Sequence, residues 1–438
     1  MHVDTLINAR WIIPVEPESV IYHFHAIVFN DGKIIDVLPA ADAAEKYQAE
    51  HIENLPNHAL IPGFVNSHGH AAMTLMRGFA DDLPLMDWLQ NHIWPMEQKW
   101  VSESFVRDGT DLAIAEMLLS GTTCFNDMYF FPDISAQQAM LHGIRSQIGL
   151  IVIDFPTVWA ENAEMYINKG LALHDELRHQ PLLSTVFAPH APYTVSDGPL
   201  QQIRTFADEL DISIHMHVHE TRFEVEQALQ QTGRRPLQRL HELGLISPNF
   251  MAVHMTQLTD AEIKQFAEAG AHLIHCPESN LKLASGFSPI AQCLAAGINV
   301  ALGTDGAASN NDLDMLSEMR TAALLAKAVA NDASAIPAAT ALRMATLNGA
   351  KAMGLDSQIG SLTTGKFADV IAIDLDQPET QPIYDPISQI VYAASRQQVT
   401  DVWVAGKRLL KQRNLTTIDL SQLKIKINEW QLRLSNPA

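Results

Sequence analysis

The stretch "IPGFVNSHGHAAM", residues 61–73, sets His68 and His70 one residue apart at the end of an apolar, β-branched run. Side chains alternate along a strand, so residues i and i+2 share a face. Both imidazoles can therefore point the same way and take two cis positions on one metal. Alone, such a pair also describes an ordinary polar strand end, so the reading depends on the rest of the chain. Further apolar runs follow: "GTTCFNDM" (121–128), "IRSQIGLIVI" (144–153), "LLSTVFAPH" (182–190), "ISIHMHVHE" (212–220), "FMAVHMT" (250–256), "AHLIHCPESN" (271–280) and "INVALGTDGA" (298–307). With "ALIPGFVNSH" (59–68) they make eight strand candidates.

Helical patterns separate them. "VRDGTDLAIAEMLLSG" (106–121) is apolar at helical spacing and closes on glycine, and "TDAEIKQFAEAG" (259–270) has a Thr cap, early acids and a terminal glycine. Eight strands interleaved with helices over residues 61–358 predict an α/β fold, a (β/α)8 TIM barrel. A doubly wound open sheet would not explain why polar residues recur at the strand ends. Residues 1–60 and 359–438 read differently. "AIVFNDGKIIDVLP" carries an "NDGK" hairpin signal, and "GSLTTGKFADVIAIDLD" and "VTDVWVAGKRLLKQ" are again strand-like. The two flanks are expected to meet in one small β-sandwich, with "SQLKIKINEWQLRLS" as a closing surface helix.

The polar strand ends suggest chemistry. Strand five offers His215, His217, His219 and Glu220; strand six carries His254 and strand eight ends on Asp305. In a barrel all these ends face one opening, where active sites of this fold lie. Neutral imidazoles with one carboxylate, and a coordination position left for water, are the make-up of a catalytic zinc site. Any single histidine is more simply a satisfied core or surface residue. That all of them fall at strand ends favours the metal site.

Other features bound the reading. The 438-residue chain has a formal net charge of −21, which disfavours nucleic-acid or anionic-membrane partners. Its three cysteines are scattered, without a CxxC pair. No basic-then-apolar leader pattern and no spanning apolar run is evident, so a cytoplasmic protein is expected. A GxSxG elbow, a Walker loop, a zincin HExxH and the PCxxC of cytidine deaminases are all missing.

"PGFVNSHGH", "HVHE", "AVHMTQLT", "GTDGAASNNDLDM" and "GSLTTGKFADVIAID" together resemble the amidohydrolase superfamily. "RGFADDLPLMDWLQNHIWPMEQKW" and "FAPHAPYT" resemble its branch that deaminates 5′-methylthioadenosine and S-adenosylhomocysteine. The likeness covers essentially the whole chain. It implies that His68, His70, His217 and Asp305 hold one divalent metal, zinc, with Fe2+ the alternative. Only His217, with Glu220 three positions on, fits the strand-five ligand spacing; His215 is read as structural and His219 as facing the other side. Strand four has no lysine to bridge a second metal.

Further roles follow from the resemblance. Glu220 would carry a proton to N1 of adenine and to the leaving amine, Asp305 would take the proton of the attacking water, and His254 would orient that oxygen and stabilise charge. Glu97 would accept the two ribose hydroxyls, and His190 would contact the purine. Trp88 and Leu89 would either cover the thioether or simply pack a lid helix. Between Arg145 and Arg178 the only cation is Lys169, so no arginine is placed to hold a homocysteine carboxylate. The expected substrate is a small-molecule adenine nucleoside, methylthioadenosine before S-adenosylhomocysteine or adenosine. Guanine deamination, triazine hydrolysis and a non-catalytic interaction protein are the competing readings. A homo-oligomer is compatible with the fold.

Overall fold

The computed structural model describes residues 1–435 and contains two eight-stranded sheets. One is wholly parallel and follows chain order: Phe64–Gly69, Thr122–Asp127, Arg145–Val152, Leu183–Pro189, Ile214–Val218, Phe250–His254, His272–His275 and Asn299–Leu302. Each strand feeds at least one helix, as right-handed parallel connections require. The sheet closes where the Asp305 amide donates to the His68 carbonyl at 3.0 Å. Such close approach explains Gly303: a Cβ there would stand 2.8 Å from the His68 nitrogen. The fold is the expected (β/α)8 barrel.

Inside, Val65, Cys124, Val186, Met251, Val253, Ile274 and Ala301 pack into one apolar cluster with Ala350 and Met353 of the helix-rich segment that follows strand eight. Polar strand ends therefore lie over a closed floor, not in a pore. The helices begin and end where the caps predict. Ser102 accepts from the Phe105 amide before Glu103–Ser120, which stops at Gly121 with φ 93°. Thr259 and Glu262 form a reciprocal capping box at the start of Asp260–Glu268.

The terminal segments share the second sheet, ordered 414–415, 407–411, 399–404, 370–374, 48–62, 2–12, 22–30 and 33–39. Strand Val370–Asp374 from the C-terminal part pairs directly with Gln48–Pro62 from the N-terminal part. The sheet encloses its own core of Ile7, Ile27, Phe29, Leu60, Val370 and Trp403. The "NDGK" turn joins Tyr22–Asn30 to Lys33–Pro39 with φ of 49° at Asp31 and 73° at Gly32, the two positive values a type I′ hairpin needs. Helix Leu420–Ser435 closes the chain against Glu103–Ser120, with Trp430 edge-on to Phe105.

One run divides where a single strand was expected. "ALIPGFVNSH" breaks between Pro62 and Gly63: Gln48–Pro62 stays in the terminal sheet and Phe64–Gly69 opens the barrel. Gly63 is required there, because a Cβ would stand 2.1 Å from the Thr123 hydroxyl. Its amide donates to the Asp369 carbonyl while that of Phe64 donates to Gly121. The chain thus passes from one sheet to the other within a single residue. Among the described residues no helix is long and apolar enough to cross a membrane.

Candidate active site

At the C-terminal ends of the barrel strands, one ligand atom from each of His68, His70, His217 and Asp305 lies within 4.8 Å of all the others. His68 ends the first strand with His70 just beyond it, His217 is on the fifth, and Asp305 follows the eighth. Asp305 Oδ1 is 3.3 Å from His68 Nε2 and 3.1 Å from His70 Nε2; the Nε2 atoms of His68 and His217 are 3.2 Å apart. Asp305 has φ of 61°, a left-handed value that a non-glycine residue holds only when its neighbours fix it. Here Ser279 and Ser309 donate to Oδ2 at 2.6 and 3.0 Å, which leaves Oδ1 turned to the imidazoles.

Proton accounting tests whether these residues fit a cation. His70 Nδ1 faces the Met128 carbonyl at 2.6 Å and His217 Nδ1 faces the His190 carbonyl at 2.7 Å. A carbonyl only accepts, so both rings carry a proton on Nδ1 and direct Nε2 to the cluster. His68 Nδ1 meets His215 Nε2 at 3.0 Å and can spend its proton there. Burial holds His68 down to about 4 and His217 and His215 well below the usual histidine range, so these rings stay neutral. Against the pull of burial, the hydrogen bond to Asp305 holds His70 up to about 9, so a proton is shared between its Nε2 and Oδ1. A divalent cation would displace that proton, and three imidazole nitrogens and a carboxylate oxygen would then converge on it. That set of donors fits a divalent metal, and its nitrogen and oxygen chemistry suits zinc.

Glu220 and His254 stand beside this cluster. The chain turns at the end of strand five, where His219 has φ of 52°, and brings Glu220 into the mouth. Burial pushes the Glu220 carboxyl up from the ordinary glutamate range, which favours its acid form. His254 Nε2 is 3.8 Å from Glu220 Oε2. Its Nδ1 donates to the Asn280 amide oxygen at 2.8 Å, which directs Nε2 into the mouth.

A cavity of about 530 Å³ opens over these groups. Glu97 lines it and accepts from the Tyr129 hydroxyl at 2.8 Å. Burial lifts the Glu97 carboxyl to about 7, against the opposing pull of that hydrogen bond. His190 reaches the same space; its Nδ1 is tied to the Thr194 hydroxyl at 3.0 Å and burial holds it down to about 3. Trp88, Leu89, Ile93 and Trp94 come from one helical stretch whose middle, Trp88–Ile93, is wound as a π-helix. Opposite stand Phe155, Pro156 and Val158 from the segment after strand three, and no lysine or arginine lines the cavity among the described residues.

The amidohydrolase family model matches residues 59–409, the whole barrel and most of the C-terminal strands. The chain belongs to the amidohydrolase family. Within that family it is 50% identical to a 5-methylthioadenosine/S-adenosylhomocysteine deaminase of Teredinibacter turnerae, over 99% of this chain and 98% of that one. A protein of the same name from Saccharophagus degradans is 52% identical, over 98% and 97%. The crystal structure of an adenosine deaminase from Xanthomonas campestris, with bound zinc, superposes with a TM-score of 0.98 at 52% identity, covering 99% of each chain.

For this amidohydrolase, every site residue singled out from the sequence lines the mouth or the cavity above it. His215 lies one layer deeper and abuts His68, while His219 turns away and accepts from the Leu237 amide at 3.1 Å. Several contributors carry no sequence signal of their own. Ser279, Asn280 and Ser309 sit in loops and short helices after strands seven and eight, and Tyr129 follows strand two. Their neighbours in space are distant in sequence, so only the closed barrel reveals them.

Proposed function

We propose that this amidohydrolase is a metal-dependent hydrolase that deaminates adenine nucleosides at C6, releasing ammonia and the inosine analogue, with 5′-methylthioadenosine as the preferred substrate. One observation carries the reading: three imidazole nitrogens and Asp305 converge within 4.8 Å under a cavity that also holds a buried Glu220. Relatives of the same length and half the same sequence bear the deaminase name.

His68, His70, His217 and Asp305 would hold the metal, which when bound lowers the pKa of a coordinated water toward neutrality. Asp305 takes the proton that the water loses as its oxygen attacks C6. Glu220, its acid form favoured by burial, delivers a proton to N1 as the ring loses aromaticity. His254, its Nδ1 proton committed to Asn280, turns its Nε2 lone pair to the attacking water and orients it by accepting from its O–H. As the carbonyl forms, the hydroxyl proton passes through Glu220 to the amine, the C6–amine bond breaks to release ammonia, and the proton held by Asp305 restores the acid form of Glu220. Glu97 accepts the ribose hydroxyls, and His190 meets the purine. Positioned acid–base groups of this kind contribute about 10²–10⁴-fold.

The cation-free lining favours a thioether over a homocysteine tail. Between strands three and four, Lys169 donates to the Trp159 carbonyl at 2.5 Å and Arg178 to Asp175 at 2.9 Å, and neither lines the cavity. A homocysteine carboxylate would meet Phe155 and Val158 with no partner to offset its desolvation. Ammonia release from zinc-loaded enzyme should give a higher kcat/KM with methylthioadenosine than with S-adenosylhomocysteine. Equal or better values for the charged nucleoside would defeat the preference, and no ammonia from any adenine nucleoside would defeat the reading itself.

A further inference from the structure

Glu220 carries the decisive proton, yet it belongs to no strand. It lies two residues past the end of Ile214–Val218, at a corner where His219 occupies the left-handed region with φ of 52°. A loop carboxyl this close to the chemistry must be held by its surroundings. The carbonyl side of the corner is held by Thr256, whose amide donates to the His219 oxygen at 3.0 Å and whose hydroxyl donates to the Glu220 oxygen at 2.7 Å. The amide side is held by one carboxylate. Glu224 Oε1 accepts from the His219 N–H at 3.0 Å and Oε2 accepts from the Glu220 N–H at 2.7 Å.

Glu224 is the third residue of helix Arg222–Thr232, whose cap Thr221 accepts from the Glu224 amide at 3.2 Å. In an ordinary capping box that glutamate returns to the N–H of the cap itself. Here it passes over the cap and takes the two N–H groups before it, which lie in the catalytic corner. Only a carboxylate of this length offers two acceptors to two successive amides. Its burial at 6% exposure, with no cation beside it, is a cost that helix capping alone does not require.

We propose that Glu224 is a positioning residue: by gripping both amides of the His219–Glu220 corner it presents the Glu220 carboxyl to the substrate in a single orientation. The inference rests on the deaminase reading above. The test uses the zinc-loaded full chain carrying Glu224→Gln or Glu224→Asp, each alone and combined with Glu220→Gln. Glutamine replaces one acceptor with a donor; aspartate keeps the carboxyl group but is too short to span both amides. Each single variant should lose kcat by roughly ten- to a hundredfold, with KM for methylthioadenosine and bound zinc unchanged. On top of Glu220→Gln the same substitution should cost no further kcat, because there is no acid left to place.

A full additional loss in the double variants, or a kcat loss matched by lost zinc, would overturn the assignment. If Glu224→Gln does not fold, Glu224→Asp carries the cycle alone. An inactive wild-type enzyme would instead defeat the deaminase reading, whereas active enzyme with Glu224 variants equal to wild type defeats only this inference.

Discussion

Glu220 and Glu97 are both buried carboxyls in one cavity, yet their surroundings fit them for opposite work. Burial favours the acid form of Glu220 against an opposing contact from the Ser285 hydroxyl, while Glu97 accepts from the Tyr129 hydroxyl. Glu220→Gln keeps shape and burial but carries no transferable proton. It should retain zinc and nucleoside binding while kcat falls by about 10²–10⁴-fold; full activity in this variant would remove Glu220 from the proton path. Glu97 must be ionised to accept two ribose hydroxyls, and its carboxyl is lifted to about 7. The kcat/KM for methylthioadenosine should therefore fall as pH drops through about 7. The Tyr129 hydroxyl opposes that lift, so Tyr129→Phe raises the carboxyl further and should move the acid limb to higher pH. A limb that stays in place, measured as the pH profile of kcat/KM, would contradict the pairing. The cluster of His68, His70, His217 and Asp305 was legible in the sequence because HxH, HxxE and a strand-final Asp have fixed spacing. Tyr129, Asn280 and Glu224 were not, since each works through a hydrogen bond to a marked residue while having no telling spacing of its own.

Strands were the most readable elements, because a strand buried in a barrel is a short apolar run ended by a polar residue or a glycine. All eight runs contain a barrel strand. The run around Pro62 failed as one element because periodicity cannot show a chain leaving one sheet for another; the collision of a Gly63 Cβ with Thr123 can. The closing helix Leu420–Ser435 shows how much one anchor matters to an element of mixed polarity. Leu423, Trp430 and Leu434 are its buried residues, and the Trp430 indole N–H donates to Asp108 at 2.9 Å while the ring meets Phe105. Trp430→Ala should cost about 3 kcal/mol, as large aromatic truncations do, and open the last helix to proteolysis before the barrel. Protease mapping that finds the barrel and the helix cut together would show that the helix is not a separable cover.

The molecule as a whole divides its tasks between the two ends of the barrel, reactive groups at the C-terminal mouth and stability at the opposite face. That opposite face is where the terminal sheet is fastened. Arg145, at the start of the third strand and 2% exposed, donates from Nε and Nη2 to the two oxygens of Asp369 at 3.0 and 3.3 Å. Asp369 also accepts the Ala405 amide at 2.7 Å, and its carbonyl takes the Gly63 amide at 3.0 Å. One buried ion pair thus ties a barrel strand to two strands of the terminal sheet and to the crossing between sheets. The Arg145 guanidinium also lies 4.9 Å over the Phe367 ring, so the cation is enclosed on a second side. Removing one member of such a pair leaves the other charge buried and costs about 3–5 kcal/mol. Arg145→Met should therefore lower the unfolding free energy by that much while kcat and bound zinc in the surviving folded enzyme stay unchanged, because the mouth lies at the other end of the strands. Arg145→Lys keeps the charge but loses the two-pronged geometry, and should fall between methionine and wild type. If Arg145→Met instead reduced kcat at full stability, the two ends of the barrel would be coupled, and the separation of chemistry from fastening would not hold.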